Sequence, residues 1–224
     1  MPRIYFYKLT ADNGGAPCVQ DGLLSLAICK PMIRSTAEPG DLIFGFAANS
    51  LHRDNRLIYI ARIGKKARNG DYYREKRFAN RSDRVYQWGR SRFTWRHGAL
   101  HHGPKDLVHD LGEPPDYKKA NVLLSTDFRY FGVSGTAEYK SLLQLVKEAV
   151  EQFGRGHRVA HTEPLRMELI ELKQQIWKNN PTRVAGEPSS LPRRGVCHRS
   201  RSCGVLVRKA EQKPCSRRAK GARG

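Results

Sequence analysis

Side chains that can act as acids, bases or nucleophiles are concentrated in two polar stretches of the sequence. The first is the loop TADNGGAPCV, in which Asp12, Asn13 and Cys18 flank a pair of glycines. Glycines accept positive φ and let a ligand approach backbone N–H groups, although an ordinary turn is the alternative. The second stretch contains His97, His101, His102 and His109. Carboxylates, thiols and imidazoles perform acid–base and nucleophilic catalysis, so the candidate catalytic residues are Asp12, Cys18, His101 and His102.

Neither stretch predicts a complete catalytic or metal site. Cys18 needs a nearby base to form a thiolate, and its own loop offers none. Cys29 lies in an apolar run, which predicts an inert core residue. His97 and His101 have helical spacing, but Gly98 interrupts the helix and the glutamate of a zinc protease motif is missing. We therefore expect no metal and no cofactor.

A third stretch, residues 65–97, combines positive charge with aromatic rings. It contains 11 Lys or Arg residues against three acidic ones. Its rings belong to Tyr72, Tyr73, Phe78, Tyr86, Trp88, Phe93 and Trp95. Basic side chains attract phosphates and exposed rings stack on bases, so the pattern is typical of binding a single strand or an extruded nucleotide. The alternative is an irregular surface whose rings turn inward into the core. Tyr86 and Trp88 alternate as residues of a strand do, and this favours the alternative.

Apolar runs between these stretches must position them. A Pro-Gly-Asp turn at residues 39–41 precedes the run 42–46, and a polar loop returns through the run 57–63. Two apolar runs joined in this way predict an antiparallel pair. Because neither run alternates strictly, both faces should be covered, as in central strands of a barrel or layered sheet. Asp41 is predicted to cap backbone amides at the strand entrance.

The remaining elements follow from propensity and periodicity. Residues rich in β-branched and aromatic types predict strands at 4–7, 122–125 and 127–132. Predicted helices occupy 23–29, 136–153 and 163–179. The first of these helices is expected to end at Lys30, because a residue before proline avoids the α region.

Composition indicates one domain with a basic extension. The chain has 224 residues and a net charge of +20. From Arg183 onward there are 12 Lys or Arg against two acidic residues, or +10, so the other +10 lies on residues 1–182. No apolar run approaches the roughly 20 residues of a membrane span, and the N-terminus lacks a secretory signal. The five cysteines follow no disulfide pattern, so we expect a cytoplasmic protein.

The predicted domain therefore spans 1–182, and 183–224 is predicted to be a disordered basic tail. The tail is rich in Arg, Ser, Gly and Pro and has no hydrophobic period. Such a segment is also typical of a frameshifted or extended reading frame. Its possible metal ligands have a spacing that matches no standard zinc finger: Cys197, His198, Cys203 and Cys215.

Several blocks, in a fixed order, resemble the nucleotide modification associated domain 2 family. They are YFYKLTADNGGAPCV, LLSLAICKPMIR, GDLIFGFAANS, RLIYIARI, RSDRVY and VLLSTDFRYFG, and they cover about residues 2–178. This resemblance implies a bacterial or phage protein linked to DNA base hypermodification. The pair GDLIFGF and LIYIARI is also similar to strands of PUA-like domains, including EVE and ASCH modules. That similarity implies an α+β fold, with a small mixed or antiparallel barrel-like sheet and peripheral helices around a base-binding pocket.

The resemblance also implies which positions line the pocket. They are Thr10, Asp12, Asn13, Cys18, Asn49, Arg81, Asp83, Ser125 and Arg129, with Tyr7 or Trp88 as stacking residues. Asp12 and Asn13 have the donors and acceptors to read a base edge, and Arg81 and Arg129 have the charge to hold phosphate. Asp83 would orient Arg81, although a structural salt bridge is an equal alternative.

Three hypotheses follow. The first is a nucleic-acid-binding module that recognises a modified base or nucleotide, with DNA rather than RNA as the expected nucleic acid. The second is a hydrolase- or transferase-type enzyme that acts on a modified nucleotide or base through Asp12 or Cys18 and a histidine. The third is a partner of other components of a DNA modification system, with only general affinity for nucleic acid.

Overall fold

A five-stranded sheet forms the centre of the molecule, and its middle strand is the apolar run after the Pro-Gly-Asp turn. The computed structural model describes residues 1–154 and 156–189. The strand order is β10 (Asp127–Tyr130), β5 (Leu57–Arg62), β4 (Leu42–Ala47), β1 (Ile4–Leu9) and β11 (His157–Arg158). Strands β1 and β4 are parallel and the other pairs are antiparallel. The predicted antiparallel pair β4–β5 is therefore confirmed, and both strands are buried almost throughout.

A second sheet packs against the first. Its order is β2 (Cys18–Gln20), β3 (Leu23–Leu26), β9 (Val122–Ser125) and β6 (Lys65–Ala67). A separate hairpin contains β7 (Tyr86–Gly89) and β8 (Arg92–Trp95). The prediction that residues 127–132 continue the strand at 122–125 is wrong, because the chain changes sheets at Thr126 and β10 joins β5. The strands of the described residues form these open sheets, so the α+β class is confirmed but no closed barrel is present.

The helices of the described residues pack against both sheets. They are α1 (Pro31–Thr36), α2 (Asp71–Arg74), α3 (Leu107–Leu111), α4 (Gln144–Gln152) and α5 (Glu163–Asn179). The helix predicted at 163–179 is confirmed, and the one predicted at 136–153 is split into a 3-10 turn, Glu138–Ser141, and α4.

The helix predicted at 23–29 is wrong. Leu23–Leu26 is strand β3, which pairs with both β2 and β9. Helix α1 begins only at Pro31, where a missing N–H is harmless because the first helical N–H groups have no internal partner.

Hydrophobic side chains form three clusters that correspond to successive layers. Phe6, Phe44 and Ile60 face the layer of α4 and α5. Residues next to them on the same strands, including Tyr7 and Tyr59, face the second sheet. This alternation across the sheet explains why both faces of β4 and β5 are apolar. Asp41, at the entrance of β4, accepts hydrogen bonds from two backbone N–H groups, as predicted for a cap.

The third cluster contains most rings of the basic aromatic stretch. Tyr72, Tyr73, Phe78, Tyr86 and Phe93 are buried there, behind the second sheet. Only Trp88 is classed as exposed among the seven rings of that stretch. The prediction that the rings of this stretch are exposed for stacking on bases is therefore wrong for these five, and the inward-facing alternative is confirmed for them. These rings enlarge a core that the short strands of the second sheet would not supply alone.

The last described residues pack against the larger sheet. Val184 forms a parallel bridge with Tyr130, the N–H of Val133 donates to Glu187, and the N–H of Ser189 donates to the carbonyl of Asp12. Residues 183–189, the start of the predicted tail, thus belong to the described fold. The rest of that tail, with Cys197, His198, Cys203 and Cys215, lies outside the described residues. No helix within 1–154 or 156–189 has the length and apolar character to cross a membrane.

Candidate functional site

Asp12 carries a buried carboxylate that is only half satisfied. It is 1% exposed, and the hydroxyl of Tyr130 donates to its Oδ2 at 2.7 Å. Its Oδ1 has no hydrogen-bond partner within the described part of the chain. Burial raises the pKa of this carboxyl to about 6, and Tyr130 and the nearby N–H of Gly14 only partly offset that rise. A carboxyl group that titrates near neutral pH is suited to proton transfer or to reading an N–H group.

The ring of His101 packs against Gly15 of the same glycine loop. A Cβ at Gly15 would lie 2.7 Å from its ring, so only glycine allows this close approach. The ring is 8% exposed, and its Nε2 lacks a partner among residues 1–154 and 156–189. Burial lowers the pKa of His101, which favours the neutral ring. Asn13 and Thr10 are exposed in this loop, and the Asn13 side chain accepts a bond from the N–H of Gly15.

Arg81 and Asp83 of the RSDRVY block form a buried network with Tyr72 and Ser25. Arg81 donates to the Tyr72 hydroxyl at 2.9 Å and to the Ser25 hydroxyl at 2.7 Å. Asp83 accepts from both hydroxyls, and its Oδ1 lies 3.4 Å from Arg81 Nε. Arg81 also donates to three backbone carbonyls, those of Cys18, Gln20 and Leu23. The guanidinium thus joins β2, β3 and the RSDRVY loop internally, which supports the structural alternative for this pair.

Cys18 lies against this network. Its Sγ is 3.3 Å from the Ser82 hydroxyl and 3.5 Å from Arg81. Burial and the neighbouring charge of Asp83 raise the pKa of the Cys18 thiol to about 11. The thiol is therefore protonated at neutral pH, which disfavours a nucleophilic role. Within the described residues, no hydrogen bond joins the side chains of Asp12, Cys18 and His101 to one another.

Cys29, which the sequence predicts to be an inert core residue, contacts His102, and His102 in turn contacts Asp110. Cys29 Sγ is 3.3 Å from His102 Nε2, and His102 Nδ1 is 2.5 Å from Asp110 Oδ2. The Tyr86 hydroxyl also donates to Asp110 Oδ2, at 2.7 Å. Burial acts to raise the pKa of Asp110, but His102, Arg34 and Tyr86 outweigh it, so the pKa is lowered and the carboxylate is ionised.

The backbone around Cys29 is shaped by the passage from β3 to α1. Cys29 has φ of 57° and Lys30 has φ of 43°, which non-glycine residues rarely adopt. Buried Arg34 holds this turn, because it donates to the carbonyls of Cys29 and Asp110. The Cys29 N–H in turn donates to Asp110 Oδ1 at 3.0 Å. The sequence signal for this turn is a cysteine between an apolar strand and Lys-Pro. The predicted helix at 23–29 places Cys29 inside a helix and therefore hides the turn.

The other predicted site residues are bonded to their surroundings. The Asn49 side chain accepts from Asn55, the Ser125 hydroxyl donates to the carbonyl of Arg62, and Arg129 bonds the carbonyl of Asn180. The guanidinium of Arg129 also lies 4.7 Å from the ring centre of Trp177. Their predicted contacts with a nucleotide stay predictions. A shallow groove of about 300 Å³ contains none of the predicted site residues; it is lined by Pro39, Gly40, Arg62, Ile63, Gly64, Thr126 and Asp127.

The hairpin β7–β8 presents a basic surface. Trp88 is 39% exposed, and the guanidinium carbon of Arg74 lies 4.2 Å from its ring centre. Arg90 and Ser91 form the hairpin turn, and both have positive φ, 50° and 66°. Arg90, in the turn, and Arg92, the first residue of β8, are exposed. The hairpin therefore carries one partly exposed ring, stacked against Arg74, and two exposed arginines at or next to its turn.

Comparison with known proteins gives one match. The family model described as nucleotide modification associated domain 2 matches residues 1–191, which include all the described residues. Neither the curated proteins nor the solved structures gave a match, so the PUA-like similarity is not confirmed. The family match agrees with the blocks seen in the sequence and extends beyond them to residue 191. The chain belongs to the nucleotide modification associated domain 2 family.

Proposed function

We propose that this chain binds nucleic acid and recognises a modified base or nucleotide within a DNA modification system. The observation that carries the proposal is the basic hairpin, which exposes Trp88, Arg90 and Arg92 and stacks the Trp88 ring against Arg74. An exposed ring stacks on an unpaired base, and guanidinium groups hold the adjoining phosphates. The family supports a nucleotide as the ligand, and other components of such a system are the expected partners.

The shape and charge of the hairpin support this role. A two-stranded ribbon is narrow enough to enter a DNA groove or to lie along a single strand. Two positive φ values at Arg90 and Ser91 are typical of the tight hairpin turn whose twist matches the strands, so the tip is held by the backbone itself. The net charge of +20 would attract nucleic acid over a distance before these contacts form.

A second candidate is an enzyme that acts on the same ligand through Asp12. The specific observation is its buried carboxyl group, which has a pKa of about 6 and one oxygen that lacks a partner among the described residues. Such a group is able to exchange a proton near neutral pH, as a general acid or base must. The Cys18 part of this candidate is not supported, because the pKa of that thiol is raised to about 11.

Salt-dependent binding tests the first proposal. Affinity for a short single-stranded DNA, with and without a modified base, would be measured by fluorescence anisotropy at several salt concentrations. Replacing Arg90 and Arg92 with alanine should reduce the slope of log K against log salt by about 0.7 for each lost phosphate contact. Trp88→Ala should lower affinity by about 1–3 kcal/mol with little change in slope, because stacking releases no ions.

Arg53→Ala is the matched control, since Arg53 is an exposed arginine in the loop between β4 and β5. It should leave both affinity and slope unchanged. If the hairpin variants behave like Arg53→Ala, the hairpin is not the binding surface. If they lose affinity equally for modified and unmodified strands, the hairpin binds backbone and recognition of the modified base must lie elsewhere.

A further inference from the structure

We propose that Cys29, His102 and Asp110 form an acyl-transfer centre, with Cys29 as nucleophile, His102 as base and Asp110 as positioning residue. The substrate class is an amide or ester carbonyl carried by a nucleotide or nucleobase. Attachment to a nucleotide rests on the proposed function above. The thiol chemistry does not rest on that function, because it follows from the arrangement of the three side chains alone.

The order and distances of the three groups are those that nucleophilic catalysis needs. A contact of 3.3 Å between Cys29 Sγ and His102 Nε2 is a hydrogen-bond distance for sulfur, so the imidazole is placed to remove the thiol proton. The 2.5 Å contact with ionised Asp110 keeps the other ring proton on Nδ1. Nε2 is then the basic nitrogen, as in Ser-His-Asp and Cys-His arrangements on unrelated folds.

The backbone presents the cysteine in the way a nucleophile needs. Cys29 lies at the turn between β3 and α1 with positive φ, a strained conformation for a residue with a Cβ. Strained strand-to-helix turns of this kind carry the nucleophile in other hydrolases. Asp110 binds both the N–H of Cys29 and the ring of His102, so one carboxylate fixes the nucleophile and its base together.

Burial increases from the nucleophile and base to the positioning residue. Cys29 is 4% exposed and His102 is 9% exposed, whereas Asp110 is fully buried. Arg34, also fully buried, supports the site from the protein interior. Its guanidinium donates hydrogen bonds to the carbonyls of Cys29, Asp110, Lys119 and Asn121. A purely structural pair of Asp110 and Arg34 would not require a thiol at hydrogen-bond distance from the imidazole.

The reaction proceeds in two balanced steps. His102 Nε2 takes the proton of the Cys29 thiol while Sγ bonds to the carbonyl carbon, and the C–N or C–O bond then breaks. The leaving amine or alcohol receives the proton from His102, and a thioester remains on Cys29. Water or an amine acceptor next attacks the thioester carbon and gives its proton to His102. The C–S bond breaks, and Sγ recovers the proton from His102.

Alkylation of the native full-length protein tests the assignment. The protein would be treated with iodoacetamide between about pH 5 and 10, and the labelling of each cysteine followed by peptide mass spectrometry. Cys29 should reach half its maximal rate below about pH 7.5, as expected for a thiol paired with imidazole. Cys18 is the internal control, because the pKa of its thiol is raised to about 11 and its labelling should need alkaline pH.

Two variants separate catalysis from packing. His102→Gln should move the Cys29 profile towards an ordinary thiol, about pH 8.5, while Cys18→Ser should leave it unchanged. A Cys29 profile in the wild-type protein that coincides with that of Cys18 would overturn the assignment, whether or not the His102 variant folds. An unchanged Cys29 profile in folded His102→Gln would do the same.

Acyl transfer itself is tested with p-nitrophenyl acetate as the acyl donor. The wild-type protein should release a burst of nitrophenolate and carry an acetyl group on the Cys29 peptide, and Cys29→Ser should give no burst. Absence of the acetylated peptide in wild type would refute the acyl-transfer centre. Cys29→Ser should still bind the single-stranded DNA probe described above, so loss of this chemistry and loss of nucleic-acid binding are distinguishable.

Discussion

The half-satisfied carboxylate of Asp12 makes a prediction about stability that needs no ligand. Asp12 is almost fully buried, Tyr130 bonds one of its oxygens, and the other lacks a partner within the described residues. Burial penalises the charged form, so the pKa rises from the usual 3.8 to about 6. In Asp12→Asn the amide carries no charge, still accepts from Tyr130, and adds an N–H donor at the unpartnered position. We therefore expect this variant to be more stable than wild type at neutral pH.

The size and pH window follow from that pKa. A raised pKa means that the folded state binds the proton more tightly than the unfolded state, so stability falls as pH rises between about 4 and 6. Below this window the carboxyl is protonated in both states and the effect disappears. Each tenfold change in proton affinity corresponds to about 1.4 kcal/mol, which gives about 3 kcal/mol for Asp12. The stability gain of Asp12→Asn should therefore grow by about 3 kcal/mol from pH 4 to pH 7.

Urea unfolding of both proteins at several pH values measures this difference by linear extrapolation. Asp116→Asn is the matched control, because Asp116 is exposed and its ion pair with Lys118 is on the surface. Its difference from wild type should stay nearly constant across the same range. If the difference for Asp12→Asn is equally flat, the carboxylate is not destabilised by burial and the reasoning is wrong. If it grows as expected, the chain retains a destabilising charge at this position, which is a common property of functional groups.

Two further substitutions, one of them with a matched control, test the packing of the larger sheet and of the turn at Cys29. Gly45→Ala would place a Cβ 2.3 Å from the Tyr59 ring, so it should lower the free energy of unfolding by about 1–3 kcal/mol. Gly89→Ala is the control, because its Cβ would meet nothing within 4 Å and the free energy of unfolding should not change. Thermal melts of both variants measure the difference. Arg34→Met leaves Asp110 buried without its cation and should cost about 3–5 kcal/mol in urea unfolding. A loss below about 1 kcal/mol would mean that the buried arginine does not hold this turn.

Sequence reasoning succeeded where an element is defined by its own residues. The pair β4–β5 and helix α5 have long apolar patterns with polar boundaries, and both were predicted within a residue or so of their observed ends. The helix predicted for the run LLSLAIC is wrong because seven apolar or small residues fit a buried strand as well as a buried helix. Pairing with β9, about 100 residues further along the chain, decides in favour of a strand. No local property of the run contains that information.

The same limit applies to the candidate site. Arg81 and Asp83 are two residues apart, and their predicted contact is present as a buried pair. His102 and Asp110 lie 73 and 81 positions from Cys29, so their contact depends on how the second sheet places the turn after β3 against α3. Composition is also a poor guide to exposure in this case. Five rings of the basic stretch fill the core, and most of its cations remain exposed because their charge is costly to bury. Arg81 is buried, where Asp83 and several hydrogen-bond acceptors compensate its charge.

The two described cysteines show why side-chain type alone does not identify a nucleophile. Cys18 lies in a polar glycine loop, but burial and the negative charge of Asp83 oppose thiolate formation more than Arg81 favours it. Cys29 lies in an apolar run but contacts the imidazole of His102, which can accept its proton and hold the resulting charge. A thiolate is favoured by a neighbour that becomes positive and disfavoured by one that is already negative. The reactivity of the two thiols is therefore expected to be the reverse of what their sequence contexts indicate, and their alkylation in one sample compares them directly.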